Sequence, residues 1–65
     1  MRNHVAEQRK SLEWSQQRLA DELGVTRQTI ISIERGRFDP SLPLAFGIAA
    51  VFEKRIEDLF FPEEK

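Results

Sequence analysis

Hydrophobic positions recur at helical spacing along most of the chain. Between Gln16 and Glu34, apolar residues stand at Leu19, Leu23, Ile30 and Ile33, with Ala20 beside the first. The step Gly24-Val25 divides this stretch into two amphipathic patterns, which predicts two short helices joined by a tight turn. The first should span Gln16 to Leu23, with Ser15 as N-cap. The second should span Arg27 to about Arg35, with Thr26 as N-cap. Gly24 suits the positive φ needed just past the first of these helices, and Gly36 gives the second the same left-handed stop. Val25 places an apolar side chain under the turn, and Ala20 is small where the two helices should cross.

The flanking segments extend the helical reading. A helix from about Asn3 to Leu12 offers Val5 and Leu12 as apolar contacts, and Trp14 follows it as a core plug. After a loop from Arg37 to Pro40, Ser41 is the N-cap of a fourth helix. Pro43 is tolerable in that helix's first turn, where its missing N–H leaves no bond unmade. No charged residue occurs from Leu42 to Phe52. A helix apolar all round is normally a buried one, so this helix is expected to be central. Gly47 inside it weakens it by roughly 1 kcal/mol against Ala. A short last helix is expected from Ile56 to Phe60, with Glu57 and Asp58 suited to its positive N-terminus.

The outward face of the third helix carries the candidate chemistry. Arg27, Gln28, Ile31 and Ser32 share one side by i, i+1, i+4, i+5 spacing. Gln28 is suited to adenine N6/N7 and Arg27 to guanine O6/N7 or a phosphate. Ile31 lies off the core stripe of Ile30 and Ile33, where contact with a thymine methyl would account for it. Thr26, Thr29, Arg35 and Arg37 flank the same helix as a candidate phosphate clamp. The package is a helix-turn-helix whose second helix is fit for a DNA major groove.

The run Q-x-x-L-A-x-x-L-G-V-T-R-Q-T-I-x-x-I-E from Gln16 to Glu34, followed by Arg35-Gly36-Arg37-Phe38-Asp39-Pro40-Ser41-Leu42, resembles the Cro/CI-type (xenobiotic-response-element) helix-turn-helix family. The resemblance is strongest to its short single-domain repressors and covers about Val5 to Phe60. It implies an all-α, five-helix, lambda-repressor-like domain over residues 1–65. It also implies base-reading side chains at Arg27, Gln28 and Ser32, and a backbone-phosphate contact at Gln16. Arg9 and Glu34 match family positions that form a partly buried ion pair tying the first helix to the third. The chain departs from the family pattern in three places. Gln8 stands where Leu is usual, Glu13 where Gly is frequent, and Arg55 where a Ser cap is favoured.

Composition adjusts this picture modestly. The formal net charge of −1 lacks the basic footprint usual in nucleic-acid domains. Its distribution is uneven: residues 1–38 hold seven Lys/Arg against five Asp/Glu, and residues 39–65 hold three against six. The basic half is the helix-turn-helix half. The chain contains no cysteine and a single histidine, His4, so neither a disulfide framework nor a metal site is expected. No arrangement of nucleophile, base and paired carboxylate suggests an enzyme, and neither a cofactor nor a small-molecule ligand is expected. With no signal peptide or membrane span in the sequence, a cytoplasmic location is expected.

A core of this size is marginal alone, which favours oligomerisation. A short helix cannot turn Ile56, Leu59, Phe60 and Phe61 toward one small core, so these four are expected to form a homodimer interface; the alternative is that Phe60 completes the subunit's own core and Phe61 caps it. The partners expected are double-stranded DNA and a second subunit, with no membrane. The reading is a repressor on a pseudo-palindromic operator. Its rivals are an antitoxin-type autorepressor and a helix-turn-helix used only for protein interaction.

Overall fold

Three of the helices begin where a short hydroxyl side chain can take up a free N–H. Ser15 accepts from the Arg18 amide, Thr26 from Thr29 and Ser41 from Leu44. In the computed structural model, which describes residues 1–62, the elements follow as β1 (Arg2–Asn3), α1 (Val5–Ser11), α2 (Gln16–Leu23), α3 (Arg27–Glu34), α4 (Leu42–Phe52), α5 (Ile56–Leu59) and β2 (Phe60–Phe61). This is the five-helix, lambda-repressor-like arrangement. One side chain from nearly every helical turn meets at the centre. Val5, Leu19, Ile30, Ile33, Ile48 and Leu59 are fully buried there. Among the described residues, no helix is long and apolar enough to cross a membrane.

Two short strands extend the bundle, and no helical periodicity announces them. Arg2 pairs with Phe61 and Asn3 with Phe60 in an antiparallel ladder. The His4 amide continues the ladder by donating to the Leu59 carbonyl at 2.8 Å. The first helix therefore starts at Val5 rather than Asn3. Asn3 instead accepts the Val5 amide on its side-chain oxygen at 3.1 Å, a capping geometry typical of Asn.

The ladder corrects the expectation for the C-terminal end. α5 stops at Leu59, and Phe60 is extended (φ −122°, ψ 132°). Leaving the helix changes the side-chain step from about 100° to the alternation of a strand, so Leu59 and Phe60 both turn inward. They belong to the subunit's own core. Phe61 alternates outward, half-buried, with the His4 ring edge-on at 4.7 Å. Ile56 is likewise half-buried and packs against the core.

α4 also differs from expectation. Ala45, Ile48, Ala49 and Phe52 face the core, but Leu42 is 64% exposed and Phe46 58%. The helix lies against the bundle on one stripe only, and the other side is apolar and open. Leu12, offered as an apolar contact, is exposed as well.

The α1 exit is made by Glu13 itself, which takes φ 59° where a glycine would be free of strain, and Glu53 does the same after α4 at φ 55°. A left-handed L-residue with a Cβ costs roughly 1–2 kcal/mol. Part of any gain from glycine is returned as unfolded-chain entropy. Glu13→Gly and Glu53→Gly are each expected to stabilise the fold by about 0.5–1 kcal/mol. A higher urea midpoint at unchanged slope would register this, and an unchanged or lower midpoint would contradict it.

At the opening of α5, Arg55 and Glu57 are fully exposed and lie 2.7 Å apart. The Glu57 carboxyl is held below its ordinary range, first by its own backbone N–H and then by the hydrogen bond and charge of Arg55. Arg55 makes no side-chain cap hydrogen bond, so this local pairing stands where a Ser cap is usual.

Candidate nucleic-acid interface

The turn between α2 and α3 is built by local chemistry. Gly24 takes φ 70°, which lets the Val25 amide reach back to the Ala20 carbonyl at 3.0 Å. Thr26 then opens α3 from an extended backbone. Ala20, Ile30 and Ile33 are buried between the helices. At the far end Gly36 takes φ 73°, and the Arg37 amide closes onto the Ser32 carbonyl at 3.0 Å. An α-helix with its side chains is about 10–12 Å across, which the roughly 12 Å width of a major groove admits.

Arg27 and Gln28 stand exposed at the start of α3, while Ser32 and Ile31 are half-buried further along. Ile31 is therefore less available than an off-stripe position implied. Gln28, Ser32, Thr26 and Thr29 line one shallow hollow of about 220 Å³, with Phe38 completing its rim. Arg27 and Ile31 lie outside it. Phe38 is exposed, and sequence reasoning gave it no role. Its signal was its place two residues after Gly36, where the chain folds back on Ser32.

Thr26 and Thr29 are bound to each other. Their hydroxyls are 3.0 Å apart, and the Thr26 oxygen also accepts the Thr29 amide at 3.2 Å. Either hydroxyl can be the donor of this pair, and the one that is not donating within it has its O–H for a phosphate oxygen. Gln16 donates one side-chain N–H to Glu34 at 3.1 Å, which leaves its second N–H and its carbonyl oxygen for another partner.

Behind the helix lies a polar anchor. Arg9 meets Glu34 through two hydrogen bonds, Nε to Oε2 at 2.7 Å and Nη2 to Oε1 at 3.2 Å. The side chains are only 10% and 7% exposed. Arg9 Nη1 donates to the Trp14 carbonyl at 2.8 Å, and Gln16 completes the carboxylate's shell. Asn3 adds a tether that sequence reasoning missed, donating to the Ile33 carbonyl at 2.8 Å. Together these contacts fix the C-terminal end of α3 to α1, α2 and β1.

The arginines divide into two sets. Arg9, Arg18 and Arg55 are each paired with a carboxylate, and Arg18 also lies 4.5 Å from the Trp14 ring centroid. Arg27, Arg35 and Arg37 are exposed and have no carboxylate partner among the described residues. All three stand at the ends of α3. Arg2 likewise has no carboxylate partner among the described residues, and it shares an open groove with Arg35. Cations left unneutralised around one exposed helix suit a polyanion.

Comparison with known proteins agrees with this geometry. The sequence model of the helix-turn-helix family matches residues 5–59. The chain is 50% identical to an uncharacterized HTH-type transcriptional regulator of Methanocaldococcus jannaschii, over 98% of this chain and 97% of that protein. A second such regulator, from Methanothermobacter thermautotrophicus, is 51% identical over 98% and 94% of the two chains. The regulator YgzD of Bacillus subtilis is 45% identical over 100% and 98%. With that match over most of its length, the chain belongs to the Cro/CI-type helix-turn-helix family of DNA-binding transcriptional regulators.

Proposed function

We propose that this protein is a sequence-specific repressor, acting in the cytoplasm as a homodimer on a pseudo-palindromic operator. Each subunit inserts α3 into a major groove, with half-sites about one helical turn, roughly 34–36 Å, apart. Gln28 and Arg27 read base edges, with Ser32 and Ile31 deeper along the same face. Phosphates are held by Gln16 and the first amides of α2, by Arg35 and Arg37, and by the Thr26–Thr29 hydroxyl pair. Occupancy excludes RNA polymerase, and no cofactor takes part.

The observation that carries this reading is the contrast between the arginines. Those around α3 are exposed and unpaired, while Arg9, Arg18 and Arg55 elsewhere are neutralised. A gel-shift salt series on the DNA upstream of the protein's own coding sequence tests it. Binding should weaken steeply with salt. Arg37→Ala should weaken binding to every sequence alike and lower the slope of log K against log salt by about one. Salt-independent binding, or no binding at low salt, would contradict it.

A further inference from the structure

The loop after α3 presents a phenylalanine to the side of the helix that carries Gln28. Phe38 is 47% exposed and completes the rim of the hollow lined by Thr26, Gln28, Thr29 and Ser32. A scattered exposed apolar side chain needs no explanation, but Phe38 is held at this place by its neighbours. Gly36 turns the chain back at φ 73°, and the Ser32 carbonyl accepts both the Arg37 amide at 3.0 Å and the Phe38 amide at 3.3 Å. On the other side, Asp39 accepts the Met1 amino group at 3.1 Å, and Pro40 restricts the backbone that follows. The loop is thus pinned to Ser32, one turn of α3 from Gln28.

The lining of the hollow divides by chemistry. Thr26 and Thr29 offer a hydroxyl for the DNA backbone, and Gln28 offers a carboxamide for a base edge. Phe38 is the wholly apolar member of the set. Across a major groove, the thymine C5-methyl is the base-edge group nearest its own strand's backbone. A ring set between a backbone-holding hydroxyl pair and a base-reading amide therefore meets that methyl group before any base donor or acceptor. Ile31, which has the right chemistry for the same methyl, is half-buried and lies outside the hollow.

We infer that Phe38 is a specificity-determining residue, which selects a thymine next to the base read by Gln28 by packing its ring on the C5-methyl group. The inference deepens the regulator reading above and rests on it. Of the four bases only thymine carries this methyl, so the contact reads sequence without a hydrogen bond. Burying one methyl-sized group is worth about fourfold in affinity. Thymine should therefore be preferred over a base without the methyl by about that factor in each half-site.

The test uses a duplex enriched by the wild type from a randomised pool, with each thymine replaced in turn by deoxyuridine, which lacks only the methyl group. One thymine in each half-site should be sensitive, its replacement weakening wild-type binding about fourfold. Phe38→Ala, with the helical circular dichroism spectrum of the wild type, should bind the thymine and deoxyuridine duplexes alike. Phe38→Leu should keep part of the discrimination, and it decides the matter by the same criteria if the alanine variant loses helical signal. A methyl effect of equal size in the wild type and the variants overturns the inference, as does a wild type with no sensitive thymine. An equal loss by Phe38→Ala on thymine, deoxyuridine and random-sequence duplexes also overturns it, since the ring would then lie on a sugar. These three outcomes leave sequence reading by α3 intact, because the wild type has enriched the duplex. A wild type that binds the pool and enriches nothing removes that reading, and the inference falls with it.

Discussion

Replacing either Arg9 or Glu34 alone is expected to destabilise the fold by about 3–5 kcal/mol, because each change strands the other charge in a site nearly closed to water. Among the described residues, Arg9→Met leaves the Glu34 carboxylate with only the Gln16 amide, and Glu34→Leu leaves the guanidinium with only the Trp14 carbonyl. A single core in a chain this short rarely supplies more than about 3–5 kcal/mol in total, so either single variant should be largely unfolded. The double variant Arg9→Met/Glu34→Leu removes both charges together and should be closer to wild type than either single one. Urea denaturation of all four proteins gives the coupling energy. Small, additive losses would contradict the account, since they would mean that water reaches the pair.

The second large effect concerns recognition. Gln28→Ala should cost about 1–3 kcal/mol on the preferred site and relax the choice of base at one position of each half-site. The change should leave stability within about 0.5 kcal/mol of wild type, because Gln28 is exposed and no hydrogen bond to it occurs among the described residues. Together the two predictions separate anchor from reader. Losing Arg9 or Glu34 should abolish binding through unfolding. Losing Gln28 should spare the fold and the random-sequence affinity and lower only the ratio of specific to random-sequence affinity. An unchanged ratio in Gln28→Ala would remove it from base reading.

The central helices were legible because their ends are written locally. Ser15, Gly24, Thr26 and Gly36 each perform a capping or turning role that depends on a few adjacent residues. α2 and α4 accordingly run over the spans their patterns predict, and α3 ends one residue early because Arg35 is its cap. The family's Arg9 and Glu34 positions do meet, a contact 25 residues apart that periodicity alone does not reveal.

What escaped depends on partners distant in sequence or on which side of an element is covered. β1 and β2 are two residues each, too short for alternation to register, and their pairing joins opposite ends of the chain. That pairing is what turns Phe60 inward, so an argument that kept Phe60 on a helix sent it to an interface. A helix apolar all round implies burial, and composition does not reveal that the Leu42–Phe46 side of α4 is left largely exposed. At the candidate site, Gln16 was assigned by position in the motif. Its amide also joins the Glu34 cluster, a contact visible only once Glu34 is placed in space. Glu13 shows the limit of reading turns from glycine, since the left-handed exit is present without one.

The central claim is that α3 reads DNA sequence. Selection of bound duplexes from a randomised pool, repeated with Gln28→Ala, tests it most directly. The account predicts that the wild type enriches an inverted repeat whose half-site centres lie about one helical turn, 10–10.5 base pairs, apart. It also predicts that Gln28→Ala loses preference at one symmetric pair of positions. A wild type that binds the pool but enriches no sequence, or a variant that enriches the same repeat with the same preferences, would contradict it.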